Sequence, residues 1–344
     1  MRIFSLFLFI AGATTALAQN VIVTGAAAGN DPMVDVTFDF DIATGSFRPG
    51  PQFLAYASSY RGGVRVAVGD VNGDGAAEIV TSTKEGPSHI KVFSTMGVEL
   101  MSFLAYDGSF AGGVNVATGD VNGDGVADII TGAGAGGGPH VKVFNGTDSS
   151  LLRSFFAYDP AFSGGVNVGG GSGSGKVVTG GGPHVKSFDG ITMNEELSFF
   201  PYTPSFSGGV RVATGDVNGD GIADIVTVPM SGAASHVKVF DGFSSSELSS
   251  FFAFNPASTG GAQIAVGDLN GDGVAEMMVG DGGEDALGGY GIFDLSGRFV
   301  SGFQSPTAGS LAVYSNPVPE PATMLALGLG AAAMLRRRKR TLKS

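Results

Sequence analysis

Four nine-residue stretches place oxygen-bearing side chains at one repeated spacing. In Asp120-Val121-Asn122-Gly123-Asp124-Gly125-Val126-Ala127-Asp128 they fall at positions 1, 3, 5 and 9, and the carbonyl of Val126 at position 7 can add a further oxygen. Gly125 at position 6 permits the sharp turn that folds these oxygens around one centre. Hard oxygen donors in this number suit calcium, whereas magnesium demands tighter octahedral geometry and transition metals favour His or Cys. The pattern recurs with Asp70, Asn72, Asp74, Ala76 and Glu78; with Asp216, Asn218, Asp220, Ile222 and Asp224; and with Asp268, Asn270, Asp272, Val274 and Glu276. Glutamate at position 9 reaches further, so the geometry of those two sites is less fixed. About four Ca2+ sites are expected.

Each loop carries three carboxylates that repel one another when empty, so calcium is expected to stabilise the fold through binding linkage. An EF-hand would need Glu at position 12 and flanking helices. Here position 9 is acidic and the continuation, such as Ile129-Ile130-Thr131, is suited to a strand. The same contrast disfavours a dockerin, whose paired loops lie closer together and start helices.

The elements that position the loops come from an internal repeat. Val64-Arg65-Val66-Ala67-Val68-Gly69-Asp70 and its continuation recur, slightly altered, from Val114, Val210 and Ala262, with the leading aspartates 50, 96 and 52 residues apart. The middle gap is two periods. Within it Val166-Asn167-Val168 begins a unit whose acidic loop is replaced by Gly169 to Lys176, and the repeat resumes at Val177. Each unit holds four strand-like stretches, illustrated by Val114 to Thr118, Ala127 to Thr131, Val141 to Phe144 and Ser154 to Tyr158. Four strands in about 50 residues make one propeller blade, which buries its faces only by stacking on neighbours.

Residues 21 to 63 supply only three strands: Val21 to Thr24, Val34 to Phe38 and Gln52 to Tyr56. Leu311 to Tyr314 can provide the missing first strand and close the ring, which removes exposed sheet edges. The expected fold is an all-β propeller of six four-stranded blades, rather than five or seven, occupying residues 19–315.

This body resembles the FG-GAP and VCBS repeats of integrin α-subunit propellers, through Gly-Asp-Val-Asn-Gly-Asp-Gly at 69–75, 119–125 and 215–221 and Gly-Asp-Leu-Asn-Gly-Asp-Gly at 267–273. The resemblance implies calcium-bound loops between the first two strands of a blade. It implies no ligand, and no Phe-Gly-Gly-Ala-Pro signature is conspicuous.

The ends of the chain address it for export. Arg2, an apolar run from Phe4 to Ile10 and Ala16-Leu17-Ala18 form a signal peptide over residues 1–18, the run being short for a transmembrane helix. At residues 316–344, Pro319-Glu320-Pro321, an apolar stretch from Ala322 to Leu335 and the cluster Arg336 to Arg340 resemble the PEP-CTERM sorting signal of Gram-negative bacteria. That resemblance implies exosortase as a processing partner, with the C-terminal segment in the membrane only before processing. A retained anchor is the alternative. Both place the body at the cell surface or in the extracellular matrix. The absence of cysteine is compatible with export, since a large domain does not need disulfides.

Without both terminal signals the body keeps 12 basic and 30 acidic residues, a charge of about −18, which four calcium ions would bring to about −10. Such a surface argues against nucleic acid and anionic lipid as partners. The hydrophobic fraction of 43% and the 26 phenylalanines exclude a solvated low-complexity chain despite the abundant glycine.

Several signals invite other chemistry. Gly170 to Val177 approaches a phosphate-binding P-loop, but Val177 stands where Ser or Thr would reach magnesium, and a strand rather than a helix is expected next. Gly132, Gly134 and Gly137 match a dinucleotide motif only because the tract is glycine-rich. His89, His140, His184 and His236 occupy one place in successive repeats, which favours a structural role over a histidine ring lining the central channel. The Phe-Phe-Ala-Tyr/Phe segments, such as 155–158 and 251–254, fit blade packing better than a carbohydrate platform.

No Ser-His-Asp or Cys-His set stands apart from the repeats. The leading expectation is a non-enzymatic, calcium-rigidified scaffold for adhesion or for contact with extracellular polysaccharide or surface proteins. The alternatives are a polysaccharide lyase or hydrolase on the same scaffold, for which Asp281 to Asp285 is the first place to look, and a self-associating surface-layer component.

Overall fold

The computed structural model describes residues 20–170, 175–282, 289–307 and 309–315. The expected signal peptide and C-terminal sorting segment lie outside them. Among the described residues all regular elements are β-strands, arranged as six antiparallel sheets of four. The strand before each acidic loop is innermost, and the innermost strands are Gly309–Ser315, Val64–Gly69, Val114–Gly119, Asn167–Gly170, Val210–Gly215 and Ala262–Gly267, for blades 1 to 6. Each packs beside the next, and the last returns to the first, so the blades form a closed ring.

Closure is made as the sequence implies. Gly309–Ser315 pairs antiparallel with Asn20–Ala26, from Asn20 opposite Ser315 to Ala26 opposite Gly309. The first blade thus takes its inner strand from the C-terminal end and its other three from the N-terminal end.

The apolar core is divided into six slabs, one between each pair of neighbouring blades. Val66 and Ile79 of blade 2 pack with Val23, Val34 and Val36 of blade 1, while Val80, Ile90 and Val92 pack with Val114 and Ile129 of blade 3. Adjacent residues Ile79 and Val80 therefore serve opposite slabs, as do Ile129 and Ile130. A strand buried on both faces needs a continuous branched apolar run, which is what these second strands carry.

The outermost strand of blade 3 runs Leu151–Phe156, earlier than the expected Ser154 to Tyr158. Leu151 and Arg153 enter the ladder opposite Phe144 and Val143, whereas Ala157 leaves it to donate its amide to Pro139 O. Tyr158 turns to the next blade, its hydroxyl donating to His184 O at 2.9 Å. Tyr56, Tyr106 and Tyr202 make the same bond to His89 O, His140 O and His236 O. Phe254 stands in the corresponding place before blade 6, whose third strand begins at Gly289 instead of histidine. Phenylalanines preceding these tyrosines pack on the end of the neighbouring third strand, as Phe53 on Phe93, Phe103 on Phe144 and Phe155 on Phe188. These tyrosines and the phenylalanines three residues before them are therefore inter-blade packing elements, whereas Phe156 and Phe252 of the same segments stay exposed beside a histidine of their own blade.

Removing the Tyr106 hydroxyl in Tyr106→Phe deletes a buried donor and is expected to cost about 1–2 kcal/mol. Urea unfolding should show a lower midpoint at unchanged slope. An unchanged midpoint would show that the tyrosine bonds contribute nothing to holding blades together.

Candidate metal loops

Each acidic loop is the hairpin connection between the first and second strands of its blade. Gly69 pairs with Glu78, Gly119 with Asp128, Gly215 with Asp224 and Gly267 with Glu276. The position-9 acid is therefore the first residue of a rigid central strand, and the others hang from the turn ahead of it.

The turn folds inward through its own side chains. Asp70 accepts the amides of Gly73 at 2.7 Å and Gly75 at 2.8 Å, Asn72 Oδ1 accepts from Asp74 N at 2.8 Å, and Asp74 Oδ1 accepts from Ala76 N at 2.8 Å. The loops at Asp120, Asp216 and Asp268 repeat these bonds. Positive φ is needed at position 4 as well as position 6, at 76° for Gly73 and 85° for Gly75. Position 4 was not singled out in the sequence, although all four loops carry glycine there.

The carboxylates at positions 1 and 5 act electrostatically on the one at position 9 in each loop, but among the described residues no loop brings all three within ligand distance of one another. Burial, with repulsion from Asp74 and Asp70, pushes the Glu78 carboxyl up to about 7. Glu276 is likewise pushed to about 7, and Asp128 and Asp224 to about 6. The donors aimed at this charge are few. Glu78 Oε2 accepts Val71 N at 3.1 Å, and Asn72 Nδ2 lies 2.9 Å from Glu78 Oε1 and 3.1 Å from Asp74 Oδ2. Glutamate and aspartate at position 9 meet the same backbone amide, as Asp128 accepts Val121 N at 3.1 Å. The longer side chain differs in reaching the asparagine, at 2.8 Å in Glu276 against 3.5 Å in Asp224. Convergent, partly buried carboxylates with an amide donor between them suit a hard cation, so the residues present fit calcium.

One ligand candidate escaped the sequence analysis. Asp220, Asp224 and Asp241 each bring an oxygen within 4.8 Å of the others. Asp241 follows the third strand, His236–Phe240, and the signal available was Phe-Asp-Gly directly after that strand.

The fourth blade departs as the sequence indicates. Lys176 begins its second strand in the ladder place that Glu78 holds in blade 2. Its ammonium lies 3.1 Å from Glu196 and 2.9 Å from Gly242 O of blade 5, so a fixed positive charge replaces an acid. Of the P-loop-like tract, Gly170 ends one strand and Lys176 starts the next, and residues 171–174 lie outside the described ones. Gly132 is likewise within a strand.

The loops sit at the seams between blades. Ala127 N, at position 8 of one loop, donates to Asp70 O, at position 1 of the preceding loop, at 2.9 Å, and Ala275 N donates to Asp216 O at 2.7 Å. At the closure Asn20 Nδ2 donates to Leu269 O at 2.7 Å.

The histidines do not line the channel. They begin third strands and bond serines of the outer strands, His89 to Ser102 at 2.7 Å and His236 to Ser250 at 2.9 Å, with Phe200 and Phe252 stacked on His184 and His236. Burial, followed by the neighbouring lysine, holds their pKa values below the usual range. Asp281 accepts Ser235 Oγ of blade 5 at 2.6 Å, and residues 283–288 lie outside the described ones.

A six-bladed propeller with hairpin acidic loops defines the class of this protein. Residues 112–149 and 208–240 match the FG-GAP repeat, and residues 317–340 match the PEP-CTERM protein-sorting motif, a signal for exosortase processing of an exported protein. The chain is therefore an exported propeller protein with FG-GAP repeats. No curated protein matches it. A solved structure described as that of the Dos1 propeller is similar at TM-score 0.47 and 15% identity, covering 83% of this chain and 68% of that one.

In the metal-free protein the four position-9 acids hold protons to higher pH when folded than when unfolded. Their contribution to stability is full below the ordinary carboxylate range and is lost as pH rises through about 6 to 7. In chelator the melting temperature should fall between about pH 4 and pH 8, and saturating calcium should remove most of that fall. A chelated protein that becomes more stable across this window would contradict the assignment.

Proposed function

We propose that the protein is a calcium-binding, non-enzymatic scaffold of the bacterial cell surface or extracellular matrix, presenting a rigid ring for adhesion to polysaccharide or surface proteins. The observation that carries this reading is the placing of four carboxylate-rich hairpins at the seams between blades, where an ion would join charge relief to blade registration. Asp70, Asn72, Asp74 and Glu78 would hold one ion with the Ala76 carbonyl. Asp120, Asn122, Asp124 and Asp128 would hold another with Val126, and Asp268, Asn270, Asp272 and Glu276 another with Val274. Asp216, Asn218, Asp220 and Asp224, with the Ile222 carbonyl, gain Asp241 as a further candidate.

The expected PEP-CTERM processing supports the location, since exosortase would act after the signal peptide of residues 1–18 has directed export. The histidines make the same serine contact in four successive blades, which supports a structural role for them.

The Asp120→Asn variant should bind one calcium ion fewer than the parent in equilibrium dialysis, whereas Asp107→Asn, outside the loops, should bind the same number. In calcium, the body of residues 19–318 should be retained on extracellular polysaccharide and released by chelator, with no new reducing or unsaturated ends in the polymer. Specific turnover of such a polymer would overturn the non-enzymatic reading.

A further inference from the structure

Both ends of the propeller body leave it on one face. Ser315, the last residue of the closing strand, pairs with Asn20 and lies beside Gly267, which leads into the acidic loop of blade 6. Asn20 Nδ2 donates to Leu269 O within that loop. The matched sorting motif begins at residue 317, two residues after the strand ends, so the membrane attachment it directs is tied to the acidic face. Within blade 3, Gly119 pairs with Asp128 at the loop end, whereas His140 and Phe156 pair at the other end. That other end belongs to the face turned away from the attachment.

On this far face three consecutive blades carry an exposed aromatic ring at one register position. Phe156 lies opposite His140 and Phe252 opposite His236, and Phe200 stands beside His184. Phe156, Phe200 and Phe252 are 53%, 46% and 49% exposed. Phe200 stacks on the His184 imidazole at 4.4 Å and 14°, and Phe252 on His236 at 4.4 Å and 24°. One face of each stacked ring is covered, and its exposure lies on the other. Blade 2 has Leu104 at this position, and there His89 keeps its serine bond and its tyrosine contact without such a ring. The histidines therefore do not require the phenylalanines, and folding does not explain three half-exposed rings in successive blades.

An open groove of about 510 Å³, the size of a small-molecule site, joins the second ring to the third. It is lined by Pro201, Tyr202, Thr203, Phe206, His236 and Lys238, of which Pro201 follows Phe200 and His236 carries Phe252. Its charge is balanced. Lys238 is paired with Glu247 at 2.7 Å, and burial holds the His236 pKa below its usual range. Thr203 stands where the preceding seams have Asp107 and Asp159. On a strongly acidic body such an uncharged groove suits an uncharged ligand, since polyanions are repelled by the surface around it. The negative face of an aromatic ring attracts the weakly positive C–H face of a sugar, while Thr203, His236 and Lys238 offer hydrogen-bonding groups to its hydroxyls.

We propose that the arc of Phe156, Phe200 and Phe252, with the groove at the seam of blades 4 and 5, binds an uncharged polysaccharide by stacking its sugar rings. The inference rests on the adhesive reading above and gives that reading a ligand face and a polymer class.

The test runs the body of residues 19–318 through native gels holding dextran, galactomannan or mixed-linkage β-glucan, all uncharged, or hyaluronate, a polyanion. At least one uncharged polymer should retard the parent. The variant F156A/F200A/F252A, which trims only exposed rings, should melt like the parent and bind that polymer at least about tenfold more weakly. Phe252→Ala alone should give a smaller loss, and Phe252→Tyr, which keeps a ring face, none. Phe243→Ala, 76% exposed beside the acidic loop of blade 5, should bind as the parent does. Undiminished binding by the triple variant and by Phe252→Ala would overturn this inference alone, as would retardation by hyaluronate only. Retardation by no polymer would overturn the adhesive reading as well. A parent that sediments as a dimer and a triple variant that sediments as a monomer would assign the rings to a second copy of the chain, and would also overturn the inference.

Discussion

A four-stranded blade of this chain has two apolar faces and can bury neither by itself. Every other feature follows from that constraint. The second strands carry unbroken branched runs because Ile79 and Val80, or Ile129 and Ile130, must serve slabs on opposite sides. Six slabs need six neighbours, and a ring is the arrangement in which no blade is left with an open face. The antiparallel pairing of Asn20–Ala26 with Gly309–Ser315 ties both ends of the body into one sheet, so the ring cannot open without losing a whole strand ladder.

Close packing of buried valine and isoleucine side chains seats each blade on the next. Directional bonds at three radii supply the register. Arg65, Asn115 and their equivalents latch carbonyls near the axis, Tyr56, Tyr106, Tyr158 and Tyr202 bond the third strands further out, and the acidic loops meet at the seams through Asp70 O and Asp216 O. The loops are the unstable member of this set. Their carboxylates are held together by backbone amides, and burial, with repulsion from the neighbouring aspartates adding to it, raises Glu78 and Glu276 to about 7. Under the proposed reading, a divalent ion would turn the same convergence from a cost into a bond between strands. Blade 4 reaches an alternative solution, since Lys176 carries its positive charge on the chain.

Much of this was legible in the residues. The repeat of Gly-Asp-Val-Asn-Gly-Asp-Gly set blade number and loop placement, and the shortage of one strand at the N-terminal end required Leu311 to Tyr314 to return. What escaped the sequence depended on three-dimensional neighbours. The outer strand of blade 3 was displaced because Phe156-Ala157-Tyr158 looks like a strand, while Ala157 and Tyr158 in fact turn toward the next blade. Asp241 was missed because it lies outside the nine-residue pattern and approaches Asp220 and Asp224 only through the pairing of the third strand. The latches near the axis were invisible because their donors are chemically unlike, as Arg65 and Asn115 are, and share only a position.

The most direct test of the account is a calcium titration of the body of residues 19–318 against chelator, following thermal unfolding and counting bound metal together. The account predicts about four ions per chain and a saturable rise in melting temperature as they bind. A protein that melts identically in calcium and chelator, with no metal retained, would contradict the claim that the acidic hairpins are ion-dependent joints between blades.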